Sequence, residues 1–499
     1  MGGLDTNPGE VSDLGGALAV GEAVDIAAGR RAATIGKEAR DRVAAGHRRL
    51  LRIVADRRHV YGITTGFGPL ANRLVDAEDA ATLQRNLVYH LASGVGPDLG
   101  WLEARLVVLV RLRSLLHGVS GASPTLIERL EALLASPLAP RLPARGTVGA
   151  SGDLTPLAHL GLALIGEGAF ILGDGRAASD AEVRQHLGTD PLLLSHRDGL
   201  ALVNGTAAMT GVAALNAVRG ARLLDWAERL TVGFAEVLGG RLEAWHDMLS
   251  TLRPHPGQSE TARRLRHHAL GSRRLETGLA VERTLSPGVT GRSDGRPLQD
   301  AYTIRCAPQV LGALRDALTF HDGIVACELN AVTDNPVFPH EGAAALHGGN
   351  FMGQHVGIAS DTLSIAAITL AGLAERQIAR VTDERLNGGL PAFLTGGRAG
   401  LDSGLMGAQV TASALLAEMR SRAVPASVQS ISTNGANQDV VSMGTIAARA
   451  AGGHLEDAAH ILAILALAVA QGRDVLGEGF SPSTEAMVSK IRHVSRALD

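Results

Sequence analysis

Aromatic residues make up only 3% of this 499-residue sequence, and tyrosine occurs three times, at Tyr61, Tyr89 and Tyr302. Hydrophobic residues still reach 45%, so Ala, Leu and Val must fill the core, as expected for close-packed helices. Cys306 and Cys327 are the only cysteines; two cannot build a disulfide framework, which suits a reducing cytoplasm. The net charge of −3 gives no field for nucleic acid or a membrane surface. The first twenty residues lack the basic start and cleavable apolar core of a secretory signal. No HExxH, paired CxxC, Gly-x-Gly-x-x-Gly loop or Walker loop is present, so metal and nucleotide chemistry have no motif here. The run Ile461–Ala470 is apolar on all sides but too short to span a bilayer, and reads as a buried helix. Asn204-Gly205-Thr206 is a formal glycosylation sequon without meaning in a cytoplasmic protein.

What is present is helical periodicity. Apolar spacing predicts helices at about 36–57, 77–92, 99–117, 123–135, 156–168, 206–239, 308–331, 355–381, 403–422 and 439–472. Strand signals are few and short, and no internal repeat is found. The reading is mainly α, built on several long central helices. A flexible tail is expected at 1–20, a loop-rich and helical region at 21–205, and a helical bundle at 206–499. The section 271–302 is rich in Arg, Gly and Ser, lacks apolar period, and reads as a long loop, of a length that in compact proteins is usually functional or disordered.

The chain is organised around Gly146-Thr147-Val148-Gly149-Ala150-Ser151-Gly152-Asp153-Leu154-Thr155-Pro156-Leu157-Ala158-His159. If the backbone bends tightly at Ala150-Ser151-Gly152, the Gly152 nitrogen can attack the Ala150 carbonyl carbon. Glycine has no side chain to block that approach and tolerates the dihedrals of a closing ring. Loss of water from the ring and from the Ser151 hydroxyl leaves a 4-methylidene-imidazol-5-one, an electrophile no unmodified side chain supplies. Thr155-Pro156 reads as an N-cap followed by proline at the first helical position. That would set the tripeptide beside a helix N-terminus, where developing negative charge is favoured.

The whole string resembles the signature of the aromatic amino acid ammonia-lyases, the histidine, phenylalanine and tyrosine lyases. Further blocks carry the same resemblance. Tyr61-Gly62-Ile63-Thr64-Thr65-Gly66-Phe67-Gly68 is similar to the loop that carries the family's base. The resemblance implies that Tyr61 removes a proton from an unactivated Cβ, which requires surroundings that favour phenolate, and that the backbone through Gly68 lies close to substrate. Asn204, in Leu202-Val203-Asn204-Gly205-Thr206, matches the asparagine that contacts the electrophilic ring. The block Gln299–Gln309 carries Tyr302, implied to position or protonate groups around the amine, and Arg305, a planar fork suited to a carboxylate. Asn335 would assist Arg305 and Phe351 would line the pocket. Ser432-Thr433-Asn434-Gly435-Ala436-Asn437-Gln438-Asp439 matches the late block that closes the site, with Asn434, Asn437 and Gln438 implied to face substrate. The resemblance also implies a long central helix bundle of the ammonia-lyase/aspartase-like type, a smaller loop-rich N-terminal active-site region, and a homotetramer with shared sites.

Two positions speak to substrate. His90-Leu91 stands where the family reads the ring: phenylalanine lyases are expected to show Phe-Leu there and histidine lyases Ser-His, whereas tyrosine lyases show His-Leu. An imidazole can pair with a para-hydroxyl, and is left unsatisfied when phenylalanine binds. Gln438 stands where histidine lyases are expected to carry glutamate. The expected reaction is therefore L-tyrosine to trans-p-coumarate and ammonia, without metal or nucleotide. The alternatives are a histidine or phenylalanine lyase, a tyrosine 2,3-aminomutase on the same fold, or a non-catalytic bundle protein. Tyr89, bulky and next to His90, can reshape the pocket or pack behind it.

Overall fold

The computed structural model describes residues 11–56, 58–276, 299–341 and 345–498. The chain is mainly helical, 59% by residue. Strands are confined to short pairs: Ser12–Asp13 runs parallel to Ala33–Thr34, Val95–Asp98 antiparallel to Pro143–Arg145, and Ala139–Pro140 antiparallel to Phe170–Ile171. Two compact units divide the chain, the first formed by 1–218, 321–361 and 425–450, the second by 219–320, 362–424 and 451–499. The long helices Ala207–Leu238, Ala307–Leu329, Gln354–Thr382 and Gly444–Leu476 each contribute residues to both.

The first unit buries a Leu, Val and Ala core in which Leu106, Leu109 and Leu112 of the helix Trp101–Leu115 meet Leu157 and Leu160 of the helix Leu154–Leu164. Leu202, Ala208 and Val212, on either side of the loop carrying Asn204, complete that packing. The second unit has its own core, with Leu230, Phe234, Leu363, Leu370, Ile461 and Leu465. Helices Gln354–Thr382 and Gly444–Leu476 are long and apolar enough to cross a membrane by length and hydropathy alone. In this fold Leu363, Leu370, Ile461, Leu465 and Val469 are buried among the core side chains, as expected for the run Ile461–Ala470.

Helix ends follow local chemistry where a polar residue is free to cap. Ser123 Oγ accepts from the Leu126 N–H at 3.2 Å ahead of Pro124, and Ser481 Oγ accepts from the Thr484 N–H at 3.2 Å ahead of Pro482. The helix expected at 156–168 differs. It runs from Leu154 to Leu164, and Thr155 lies inside it with its hydroxyl donated to the Gly146 carbonyl at 3.1 Å. A tertiary partner has taken the group that the sequence assigned to capping. The helix expected from 439 begins at Gly444 instead, because Ser442 and Met443 are drawn to the 148–149 backbone and the Val441 N–H to Ser430 Oγ.

The expected tail at 1–20 is only partly described. From residue 12 the chain is packed: Ser12–Asp13 pairs as a strand, and Leu14 and Leu18 are buried. Those two leucines, spaced by four, were too sparse a signal to read as core. Of the loop expected at 271–302, residues 277–298 lie outside the described residues.

Candidate active site

The tripeptide Ala150-Ser151-Gly152 sits in the first unit, immediately before the helix Leu154–Leu164. Gly152 has φ +75° and forms a bridge with Gly205; a Cβ on Gly152 would lie 2.1 Å from the Gly205 carbonyl oxygen. Only glycine can occupy that place. Gly205 is equally constrained, with φ +147° and Arg111 Nη1 standing 2.3 Å from where its Cβ would be. Gly205→Ala is therefore expected to cost more than about 3 kcal/mol of stability, seen as a lowered thermal midpoint and poor yield of folded protein. A midpoint within a degree of wild type would refute this.

Polar contacts converge on Ser151 from two directions. Asn204 Nδ2 donates to the Ser151 carbonyl oxygen at 3.2 Å, and Gln438 Nε2 donates to Ser151 Oγ at 3.2 Å. The flanking backbone is clamped as well. Ser442 Oγ donates to the Gly149 carbonyl at 3.1 Å, the Met443 N–H donates to the Val148 carbonyl at 2.9 Å, and the Asp153 N–H donates to the Gly205 carbonyl at 2.7 Å.

Tyr61 lies in the Gly/Thr-rich loop, its ring edge-on to Phe67 with centroids 6.2 Å apart. The Gly68 N–H donates to the Tyr61 hydroxyl oxygen at 2.9 Å. Gly68 in turn packs against the late block: a Cβ there would be 2.7 Å from Asn434 Nδ2 and 3.8 Å from Asn437 Oδ1. Asn434 and Asn437 belong to the tight turn Thr433–Gln438, closed by paired backbone hydrogen bonds of 3.0 and 3.3 Å. A continuous chain of contacts thus runs from Tyr61 through Gly68, the Asn434–Asn437 turn and Gln438 to Ser151 and Asn204. The sequence blocks involved are far apart, and the fold brings them together.

The other expected residues have their own surroundings. His90 and Leu91 end the helix Ala80–Leu91; Leu91 packs on the core, while exposed His90 directs Nδ1 to the Asn86 carbonyl at 3.1 Å. A carbonyl only accepts, so Nδ1 carries the proton and Nε2 is left as an acceptor. Tyr89 points to the surface, where its hydroxyl donates to Glu167 Oε1 at 2.6 Å. That hydrogen bond, aided by desolvation, raises the Tyr89 pKa. Asn335 Oδ1 accepts from the Gly348 N–H at 2.8 Å, and Phe351 is half-buried one residue after Asn350. Tyr302 and Arg305 belong to the second unit. Their short helix is pinned from within that unit by Trp245 Nε1, which donates to the Ile304 carbonyl at 3.0 Å, and by Gln377 Nε2, which donates to the Thr303 carbonyl at 3.1 Å. Tyr302 is 69% exposed, with the Arg305 guanidinium 4.7 Å over its ring and Arg305 Nη1 donating to Gln299 Oε1 at 2.7 Å.

Several residues around the tripeptide were not singled out from the sequence. Arg111 is fully buried and donates to the Asn204 carbonyl at 2.8 Å, while its Nε and Nη2 have no hydrogen-bond partner among the described residues. Burial holds its pKa down to about 10, with nearby Asp334 pulling the other way. Asp153 is fully buried and its pKa is pushed up to about 6, chiefly by burial, against hydrogen bonds from the Thr445 hydroxyl and the Met209 N–H. Arg197 and Asp334 form a fully buried fork at 2.8 and 3.0 Å that pins the Asn335–Pro336 turn. The signal for Arg111 was available: an arginine inside the otherwise apolar stretch Leu106–Leu112. Concavity would not have found the site, since a cavity of about 550 Å³ in the first unit, lined by Trp101, Arg105 and Leu134, holds none of these residues.

With this geometry in hand, the chain can be set beside known proteins. The family pattern described as aromatic amino acid lyase matches residues 18–493. The chain belongs to the aromatic amino acid lyase family. Within the family it is 57% identical to a tyrosine ammonia-lyase of Cereibacter sphaeroides over 472 residues, covering 94% of this chain and 90% of that protein. It is 40% identical to a histidine ammonia-lyase of Symbiobacterium thermophilum, covering 97% of this chain and 92% of the relative. Among solved aromatic lyase folds, the tyrosine aminomutase from Streptomyces globisporus superposes with a TM-score of 0.93 at 37% identity, covering 98% of this chain and 93% of that one. The aromatic lyases use a methylidene-imidazolone group, and this chain is a carbon–nitrogen lyase of that family.

Proposed function

We propose that this enzyme eliminates ammonia from L-tyrosine, giving trans-p-coumarate, with an electrophile made from Ala150-Ser151-Gly152. The observation that carries the reading is the hold on Ser151. Asn204 Nδ2 donates to its carbonyl oxygen at 3.2 Å, the oxygen that would become the ring carbonyl. The cradle fits: Gly152 cannot bear a Cβ, and Asn204 Oδ1 is buried without a hydrogen-bond partner among the described residues. When formed, the methylidene-imidazolone supplies an electrophilic carbon for the substrate amine.

The remaining chemistry falls to side chains. Tyr61 takes the β-proton on its phenolic oxygen, which the Gly68 N–H holds in place at 2.9 Å. Asn204 donates to oxygen where negative charge develops. Arg305 binds the substrate carboxylate with Asn335 assisting, Tyr302 steadies the amine, and Leu91 and Phe351 border the ring. Asn434, Asn437 and Gln438 close the site over the substrate.

Tyrosine is favoured by His90. With Nδ1 committed to the Asn86 carbonyl, Nε2 is free to accept from the substrate para-hydroxyl. The 57% identity to a tyrosine ammonia-lyase supports the same substrate. His90→Phe is expected to move the ratio of kcat/KM for tyrosine over phenylalanine by about 100-fold toward phenylalanine. An unchanged ratio would remove His90 from substrate choice.

Assembly is part of the proposal. Val428, Ile431 and Val440 around the Asn434–Gln438 turn are 73%, 55% and 59% exposed, a patch that a partner subunit would cover. A homotetramer with shared sites would let Tyr302 and Arg305 of one copy serve the Ser151 of another. The free thiols, Cys306 half-buried and Cys327 exposed, suit a cytoplasmic location.

A second reading rests on the likeness to a tyrosine aminomutase at a TM-score of 0.93. An aminomutase returns the amine to Cβ and yields β-tyrosine. The deciding experiment incubates purified protein with L-tyrosine, L-phenylalanine and L-histidine and resolves products by mass. p-Coumarate from tyrosine supports the lyase; β-tyrosine establishes the mutase; cinnamate or urocanate as main product overturns the substrate assignment.

A further inference from the structure

The helix Leu154–Leu164 begins just after the tripeptide and packs against the helix Ala80–Leu91, which ends at His90 and Leu91. The two meet at Gly161, where a Cβ would stand 3.0 and 3.1 Å from the two Val88 methyls. Glycine weakens a helix interior; here it makes room for Val88. Two hydrogen bonds flank that contact. The Gly94 N–H donates to His159 Nε2 at 3.1 Å, and the Tyr89 hydroxyl donates to Glu167 Oε1 at 2.6 Å. A ring nitrogen that accepts is unprotonated, so His159 carries its proton on Nδ1, and burial lowers its pKa and favours that neutral form. Gly94 is itself wedged: a Cβ there would lie 3.0 Å from Pro143 Cβ and 3.1 Å from Thr155 Cγ2. The strand Val95–Asp98 then pairs with Pro143–Arg145, just ahead of the tripeptide string. His90 and Leu91 are thus tied on both sides to the segments that carry Ser151.

We infer that the helix Leu154–Leu164 sets the span between Ser151 and His90, with His159, Gly161 and the Tyr89–Glu167 pair as positioning residues for substrate choice. The inference rests on the proposed function, in which His90 Nε2 accepts from the substrate para-hydroxyl. The imidazole has little reach of its own. Its Nδ1 is tied to the Asn86 carbonyl one turn back at 3.1 Å, so Nε2 goes where the helix Ala80–Leu91 goes. That helix is held in turn by Val88 on Gly161, by Tyr89 on Glu167, and through Gly94 by His159. A hydrogen bond weakens steeply once distance and angle leave their preferred range. A small outward shift of the helix therefore costs a substrate that must place a hydroxyl on His90. A phenyl ring has no such group to place and tolerates the same shift better. Tyr89 accordingly serves the site from outside it, by anchoring the residue that follows it.

The test measures kcat/KM for tyrosine and phenylalanine in full-length Tyr89→Phe, Gly161→Ala, His159→Leu and His159→Gln, each with and without His90→Phe. Intact mass on the same samples, two waters light, shows that Ser151 is converted in each. Tyr89→Phe and His159→Leu should each lower the tyrosine-to-phenylalanine ratio about 5-fold, and Gly161→Ala about 10-fold. His159→Gln, whose Oε1 can still accept from the Gly94 N–H, should stay within about 2-fold of wild type. With His90→Phe in place, the same changes should move the ratio less than about 2-fold, because no imidazole is left to aim. Equal losses on both substrates, with the ratio unchanged, would make these residues structural supports and overturn the inference. Ratio shifts that persist undiminished in the His90→Phe background would overturn it as well. Should Gly161→Ala fail to fold, Tyr89→Phe, at an exposed site, decides. If His90→Phe alone leaves the ratio unmoved, the reading of His90 fails first and takes the inference with it.

Discussion

Ser151→Ala is expected to lower turnover by on the order of 10⁵-fold while leaving a folded chain. The substitution deletes one hydroxyl, whose recorded partner is Gln438 Nε2 at 3.2 Å. Every other clamp on the loop uses backbone or a neighbouring residue: Asp153 to Gly205, Ser442 to Gly149, Met443 to Val148. The fold therefore keeps its supports. The chemistry does not, because without Oγ no β-carbon double bond can form and the substrate amine has no electrophile to meet. Ultraviolet detection of p-coumarate measures the loss, and intact mass shows that the second water is retained. A Ser151→Ala chain with even a tenth of wild-type activity would end the assignment of this tripeptide.

Tyr61→Phe is expected to reduce kcat by ~10²–10⁴-fold with the maturation of Ser151 untouched. Phenylalanine keeps the ring and its edge-on contact with Phe67, so packing is preserved. What disappears is the oxygen held by the Gly68 N–H, and with it the proposed acceptor for the β-proton. A β-proton is weakly acidic, and its removal needs an oxygen already aimed. The signature is a chain two waters light with little turnover, and a KM for tyrosine that moves far less than kcat. A fall in mass loss equal to the fall in rate would instead make Tyr61 part of the maturation machinery.

Much of this site was legible because its signals are local. The Tyr61 loop, the tripeptide string and the Asn434–Gln438 turn are contiguous runs, and each forms the loop its glycines imply. The long helices were legible for a similar reason: an alanine- and leucine-rich stretch of thirty residues admits few alternatives. What escaped was set by distant partners. Thr155 carries a good capping hydroxyl, yet it serves the Gly146 carbonyl instead. Ser442 and Met443 continue a helical pattern but are drawn to the 148–149 backbone, 293 residues away in the Ser442 pair. Arg197 and Asp334 each look like surface charges in sequence, and only their pairing makes full burial tolerable. Tyr89 illustrates the opposite case. Its neighbour His90 drew attention to it, and the structure sends its hydroxyl to Glu167.

The clamp that joins Ser442 and Met443 to the 148–149 backbone ties the tripeptide loop to residues made almost three hundred positions later in the chain. Residues 146–153 leave the ribosome long before 433–445 are made. Until then Ser151 lacks Gln438, and Gly149 and Asp153 lack Ser442 and Thr445. A nascent or truncated chain thus carries only an ordinary Ala-Ser-Gly loop. Where the tripeptide is converted as proposed, its full set of clamps exists only once residues 433–445 have been made, so an electrophile would arise only in a chain already folded around it.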